Sequence, residues 1–254
     1  LLVFYLNEDV TQDVGLHISL RIVTDGAAKF TKGPPMPTVV FDLDGTLADT
    51  SGDLLAAANA CFQSLGLGDL LTPADKGTAL KGGRAMLRLG FSRVEGFGEA
   101  DVDGQYQPLL RAYAQDIDSH TFLYEGAMEA VGDLKSAGYK VAICTNKPEG
   151  LAETLLTRLG IRHEFAALLG ADSLPIRKPD PEHLFETVRR AGGDVKRCLL
   201  VGDTATDRDT SKAAGVPSIL VTFGPGDYDV RDLSPEGLMG HYSELLPEVR
   251  RLIG

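Results

Sequence analysis

Asp42 and Asp44 stand two residues apart, directly behind the apolar run Thr38-Val39-Val40-Phe41 and directly before Gly45-Thr46. If that run is a buried strand, the two acids leave its end on one face, because side chains at i and i+2 of a strand point the same way. Two carboxylates so placed repel and need a cation between them or a proton on one of them. Three further polar clusters follow short apolar runs: Thr145-Asn146-Lys147, Arg177-Lys178-Pro179-Asp180-Pro181, and Gly202-Asp203-Thr204-Ala205-Thr206-Asp207. Together they hold the groups that phosphoryl transfer requires. A carboxylate can attack phosphorus. A hard cation such as Mg²⁺, held by a few carboxylate oxygens, screens the charge. A hydroxyl and a lysine supply fixed donors, and a second acid carries the proton.

These clusters need a scaffold that gathers strand ends. Apolar runs at 38–41, 140–145, 165–169, 198–202 and 218–222 read as strands. Helical spacing of apolar residues separates them, over 127–137, 151–159, 183–191 and 207–214, and 243–253 closes the chain. Gly138, Gly160, Gly192 and Gly215 stand where the internal helices should stop. This alternation predicts an α/β fold, a doubly wound parallel sheet with a Rossmann-like core covered on both faces. In such a sheet all the clusters face one crevice at the carboxyl edge. Residues 53–118 break the pattern: helical spacing recurs over 54–65, 73–80, 84–89 and 102–117, with no strand. They are expected to form an all-helical cap inserted after the first strand, with 36–52 and 119–254 as the core domain.

Residues 1–35 lack the charge and apolar pattern of a signal peptide. They read as an N-terminal extension ahead of Met36, although 17–24 alternates weakly, as a strand would. The net charge of −11 speaks against a nucleic-acid partner, since no basic field is present to displace counterions from phosphates. No apolar run is long enough to span a membrane. The three cysteines are widely spaced and form no C-x-x-C, which fits a reduced, cytoplasmic setting.

Asp42-Leu43-Asp44-Gly45-Thr46, Thr145, Lys178-Pro179 and Gly202-Asp203-x-x-x-Asp207 resemble, in order and context, the four motifs of the haloacid dehalogenase-like hydrolase superfamily. The resemblance covers 37–254, with the helical insertion where that superfamily often carries a cap. It implies Asp42 as nucleophile and Mg²⁺ ligand. It implies Asp44 as general acid and base, with its main-chain carbonyl on the metal. Thr145 would bind the transferring phosphoryl group, Lys178 would steady Asp42 and the phosphate, and Asp203 and Asp207 would serve the metal. Thr46 and Asn146 are candidate substrate contacts. So are Gly83 and Arg84, in the basic, glycine-rich stretch Lys81-Gly82-Gly83-Arg84. Within the superfamily the chain looks most like phosphoglycolate phosphatases. This implies a small anionic phosphate ester, 2-phosphoglycolate, as substrate of a monomer or homodimer. A pyrophosphatase, a sugar-phosphate phosphatase and a β-phosphoglucomutase-like enzyme share the same core motifs, and a silent binding module would need no acid at Asp44. Dehalogenases lack that acid, since a halide leaves without a proton.

Each residue also has a plainer reading. Asp42 and Asp44 could shape a turn. Thr145 could cap the next helix, as could Asn146, and Asp203 and Asp207 could sit in a helix's first turn. Lys178 could be a loop lysine and Asp172 a loop acid. The 81–84 stretch could be a solvated junction between helices. His120, His163, His183 and His241 lack metal-ligand spacing and read as structural or surface residues.

Overall fold

The computed structural model describes residues 36–254, apart from Leu80 and Asp227. The weak strand expected over 17–24 lies outside the described residues. In chain order, β1 (Met36–Phe41) is followed by β2 (Ala48–Asp49), then α1 (Ser51–Ser64), α2 (Lys76–Ala79), α3 (Gly83–Phe91) and α4 (Glu99–Gln115). After β3 (Phe122–Leu123) the chain alternates: α5 (Ala127–Ser136), β4 (Lys140–Cys144), α6 (Glu149–Arg158), β5 (Ala167–Leu169), α7 (Pro181–Arg190) and β6 (Gly193–Gly202). It ends with α8 (Ala205–Ala214), β7 (Ser218–Val221), β8 (Gly237–Met239) and α9 (Leu245–Ile253).

The six-stranded sheet has the order β5-β4-β1-β6-β7-β8, and every pair is parallel. β1 lies inside it because Val39, Val40 and Phe41 are apolar on both faces and fully buried. Val39 and Phe41 join a core with Val131 and Leu134 of α5, Leu155 of α6 and Val249 of α9. Val40, on the opposite face, packs with Leu184 and Val188 of α7. The chain builds outward from β1 through β4 and β5, then crosses to β6, β7 and β8. The order therefore reverses between β1 and β6, and a crevice opens there at the carboxyl ends.

The helical segment forms its own layer. Helices α1, α3 and α4 pack on one another around Phe62, Met86, Leu87 and Leu109. Gly90 is required there: a Cβ at that position would fall 2.1 Å from the Phe62 ring. The segment joins the core through the antiparallel pair β2–β3, with Ala48 opposite Leu123 and Asp49 opposite Phe122. Beside this ribbon the buried Asp53 accepts the His120 backbone N–H at 2.8 Å and the Thr121 hydroxyl at 2.7 Å. Both chain crossings are thus clipped together. The five expected sheet strands are present. β6 starts earlier than the apolar run suggests, and β8 adds an unexpected edge strand. Among the described residues, no helix is long and apolar enough to cross a membrane.

Candidate active site

The turn after β1 aims its acids by backbone geometry. The Asp42 N–H continues the sheet ladder to Val201 O at 2.9 Å, and Asp42 Oδ1 accepts its neighbour Leu43 N–H at 2.7 Å. Gly45 then adopts φ 80°, a left-handed conformation that glycine takes without a side-chain clash. The chain closes back with Leu47 N–H on Leu43 O at 3.0 Å.

Two other loops bring their groups to Asp42. Lys178 Nζ lies 3.1 Å from Asp42 Oδ1 and 2.6 Å from Asp207 Oδ1. Oxygens of Asp42, Asp203 and Asp207 lie within 4.8 Å of one another, and all three residues are buried. Gly202 makes room for this cluster, since a Cβ there would meet the Asp207 carboxylate group at 2.4 Å. Asp207 has two duties. Its Oδ2 accepts the Thr204 hydroxyl at 2.6 Å and the Thr204 N–H at 3.1 Å at the start of α8, while Oδ1 holds Lys178. The helix-cap reading and the site reading therefore both hold for Asp207. For Asp203 the cap reading fails, because Thr204 caps α8.

Three buried carboxylates share one ammonium, and the imbalance is visible in the acidity of Asp42 and Asp203. Burial pushes Asp42 up to about 6, with Asp207 and Asp44 adding repulsion and Lys178 opposing. Burial also raises Asp203 well above the usual carboxylate range, reinforced by Asp207 and Asp42. Burial pulls Lys178 down, but Asp207 and Asp42 overcome it and leave the ammonium raised. Asp203 Oδ1 accepts the Thr46 hydroxyl at 2.8 Å. Its Oδ2 is buried with no hydrogen-bond partner among the described residues. A buried anionic oxygen without a partner is costly. Three carboxylates around one lysine, with one oxygen unmatched, form a site that could hold a metal cation.

Asp44 stands apart from this cluster. Its Oδ1 accepts Lys147 Nζ at 2.7 Å and the Thr50 hydroxyl at 2.6 Å. The Lys147 ammonium also lies 4.4 Å from the centre of the Tyr113 ring, which α4 contributes. Burial disfavours the Lys147 charge, but Asp44 and Tyr113 together outweigh burial and raise its pKa. Neither Lys147 nor Thr50 was singled out by sequence. The one available signal was a lysine two residues beyond Thr145, in a cluster already flagged.

A cavity of about 270 Å³ joins core and cap. Asp42, Asp44, Thr145, Asn146, Lys147 and Lys178 line it from the core side, and Gly83, Arg84 and Tyr113 from the helical segment. Thr145 is buried, and its hydroxyl also accepts the Lys147 N–H at 3.1 Å, while Pro148 caps α6. Asn146 does not cap a helix. Its amide donates to Lys178 O at 3.0 Å and braces the lysine's loop. Thr46 turns to Asp203 and is not among the cavity's lining residues. Arg84 is engaged within the cap, paired with Asp103 and stacked 4.4 Å from the Tyr106 ring centre. Asp172 accepts the Glu149 N–H at 2.7 Å, at the start of α6. His183 is structural: its ring bridges Cys144 Sγ at 3.3 Å and Gly170 O at 3.0 Å.

A family model of haloacid dehalogenase-like hydrolases matches residues 36–215. The chain belongs to that family. The relatives of this hydrolase include a phosphoglycolate phosphatase of Mesorhizobium japonicum, 41% identical over 85% of this chain and 96% of that protein. A phosphoglycolate phosphatase of Agrobacterium fabrum is 37% identical over 85% of this chain and 94% of its own length. Among solved structures, one described as a predicted phosphoglycolate phosphatase from Haemophilus somnus superposes with a TM-score of 0.74. It is 24% identical, covering 86% of this chain and 98% of its own, and shows the same fold. Haloacid dehalogenase-like architecture thus accounts for both the parallel sheet and the inserted helical cap.

Proposed function

We propose that this hydrolase releases phosphate from 2-phosphoglycolate, with Asp42 as the phosphorylated residue. The observation that carries the reading is the separation of the two acids. Asp42 lies among charges with Lys178, whereas Asp44 is held away on Lys147 and Thr50. A single-acid reaction has no use for the second arrangement. The relatives named phosphoglycolate phosphatase support the choice of substrate. We assign residues 36–52 and 119–254 to the catalytic core and 53–118 to the cap, and place the enzyme in the cytoplasm.

Asp42, Asp203 and Asp207, with the main-chain carbonyl of Asp44, would hold Mg²⁺. The fit rests on the carboxylate oxygens and on the unmatched Oδ2 of Asp203. When bound, the ion neutralises phosphate charge beside the carboxylates. The remaining duties fall to the chain's own groups. Lys178 fixes the Asp42 carboxylate for attack on phosphorus. Thr145 offers a hydroxyl to a phosphoryl oxygen. Asp44 gives a proton to the departing oxygen and later takes one from water. Lys147 and Thr50 both grip Oδ1, which leaves Oδ2 to carry that proton. The cap excludes water while the bond breaks.

Phosphate release across a panel of small phosphate esters, with Mg²⁺, tests the reading. Phosphoglycolate should give the highest kcat/KM, and Asp42→Asn should lower turnover by about 10⁴-fold or more. Wild-type turnover in that variant contradicts the mechanism. A poor rank for phosphoglycolate contradicts the substrate alone.

A further inference from the structure

A carboxylated phosphate ester brings a second anionic group, and the site must meet it with a cation not already used. The cations lining the cavity are Lys81, Arg84, Lys147, Arg177 and Lys178. Lys147 is committed to Asp44 and Lys178 to Asp42 and Asp207. Arg84, the cap residue singled out by sequence, is paired with Asp103 and stacked on Tyr106. Lys81 also has a partner. Arg177 differs. Among the described residues its guanidinium makes no hydrogen bond or ion pair, yet it lines the same cavity as Asp42 and Asp44.

The position of Arg177 is fixed by its neighbours. Lys178, the next residue, is buried against Asp42 and Asp207, and the Asn146 amide anchors the Lys178 carbonyl at 3.0 Å. Arg177 O itself accepts the Asp180 N–H at 2.9 Å, which closes the loop into α7. The backbone is therefore held at both Arg177 and Lys178 while the Arg177 side chain is left exposed. A guanidinium presents a planar fork that matches a carboxylate in two parallel hydrogen bonds. We propose that Arg177, from the core and not the cap, binds the substrate's second anionic group, which in phosphoglycolate is the carboxylate. This rests on the substrate assigned above. The loop that places Lys178 against the nucleophile thereby also sets the distance from phosphorus to the far end of the ester. A cavity of about 270 Å³ suits so short a molecule.

The test compares kcat/KM for 2-phosphoglycolate with that for ethyl phosphate, which keeps the phosphate and lacks the carboxylate. In the wild type the ratio should favour phosphoglycolate. Arg177→Met should lower it by about 10- to 100-fold, the range of a charge-assisted hydrogen-bonded pair. Arg177→Lys, which keeps the charge and loses the fork, should fall between. Arg84→Met should lower the ratio less than Arg177→Met. A ratio within twofold of wild type in Arg177→Met overturns the assignment, as does a larger fall in Arg84→Met. Both results leave the substrate standing if the wild type still prefers phosphoglycolate. A wild type that shows no preference between the two esters overturns the substrate and the assignment together.

Discussion

The strand-end crevice and the cap rim share one cavity and are built differently. In the crevice Asp42, Thr145, Lys178, Asp203 and Asp207 are all buried, and their positions are set by contacts from three separate loops. At the rim, Lys81 and Gly82 are exposed and Gly83 and Arg84 half-exposed, and Arg84 is held by neighbours from the cap itself. Acidity follows the same division. Asp42 in the core is pushed up to about 6, chiefly by burial. Asp75 in the cap is pulled down to about 2, chiefly by its hydrogen bonds from Arg93. The core gathers like charge that could hold a cation, while the cap neutralises its charges locally. In the proposed mechanism, chemistry therefore belongs to the core and the cap covers it.

The largest break in this contrast should come at Lys178. Lys178→Met leaves three buried carboxylates without their ammonium. Activity should fall by about 10²- to 10³-fold, and urea unfolding should show a loss of about 3–5 kcal/mol, as for other broken buried pairs. Asp203→Asn separates metal binding from folding. In chelator, the variant should melt at or above the wild type, because one repelled carboxylate is gone. With Mg²⁺ the wild type should rise in Tm and the variant should not.

Lys147→Met probes a cavity-lining core group that the cap also touches, through Tyr113. Turnover should fall by about 10- to 100-fold through a misplaced Asp44, with a smaller stability change than at Lys178. Restored turnover in Lys147→Arg would mark the role as positioning. The smallest effect belongs to the cap. Asp75 has a folded pKa below its unfolded value near 3.8, so its pairing stabilises above about pH 4 and fades as pH falls through about 2. Asp75→Asn should therefore cost about 0.5–1 kcal/mol in urea at pH 6, and the cost should shrink as pH falls toward about 2.

Much of the core was legible because its information is local. The apolar runs of β1, β4 and β6 end directly at Asp42, Thr145 and Asp203, the residues proposed to act, and glycines mark the helix ends. Other features carry no local signal. β8 spans three residues, Gly-Leu-Met, and β2 and β3 span two each, too short for any periodicity. Lys147 meets Asp44 across 103 positions, and Thr46 meets Asp203 across 157. Arg84 looked available in sequence because Asp103, its captor, lies nineteen residues away on another helix. Arg177 stood beside a motif lysine, and its freedom emerges only once every other cavity cation has a partner.

The central claim is that Asp42 takes the phosphoryl group while Asp44 moves the proton. It is tested most directly by acid-quenching the enzyme during turnover of phosphoglycolate with Mg²⁺ and locating the phosphoryl group by peptide mass spectrometry. The account predicts one phosphoryl group on Asp42, more of it in Asp44→Asn because its hydrolysis is slowed, and none in Asp42→Asn. A phosphoryl group on any other residue, or turnover in Asp42→Asn with no phosphorylated protein, would contradict it.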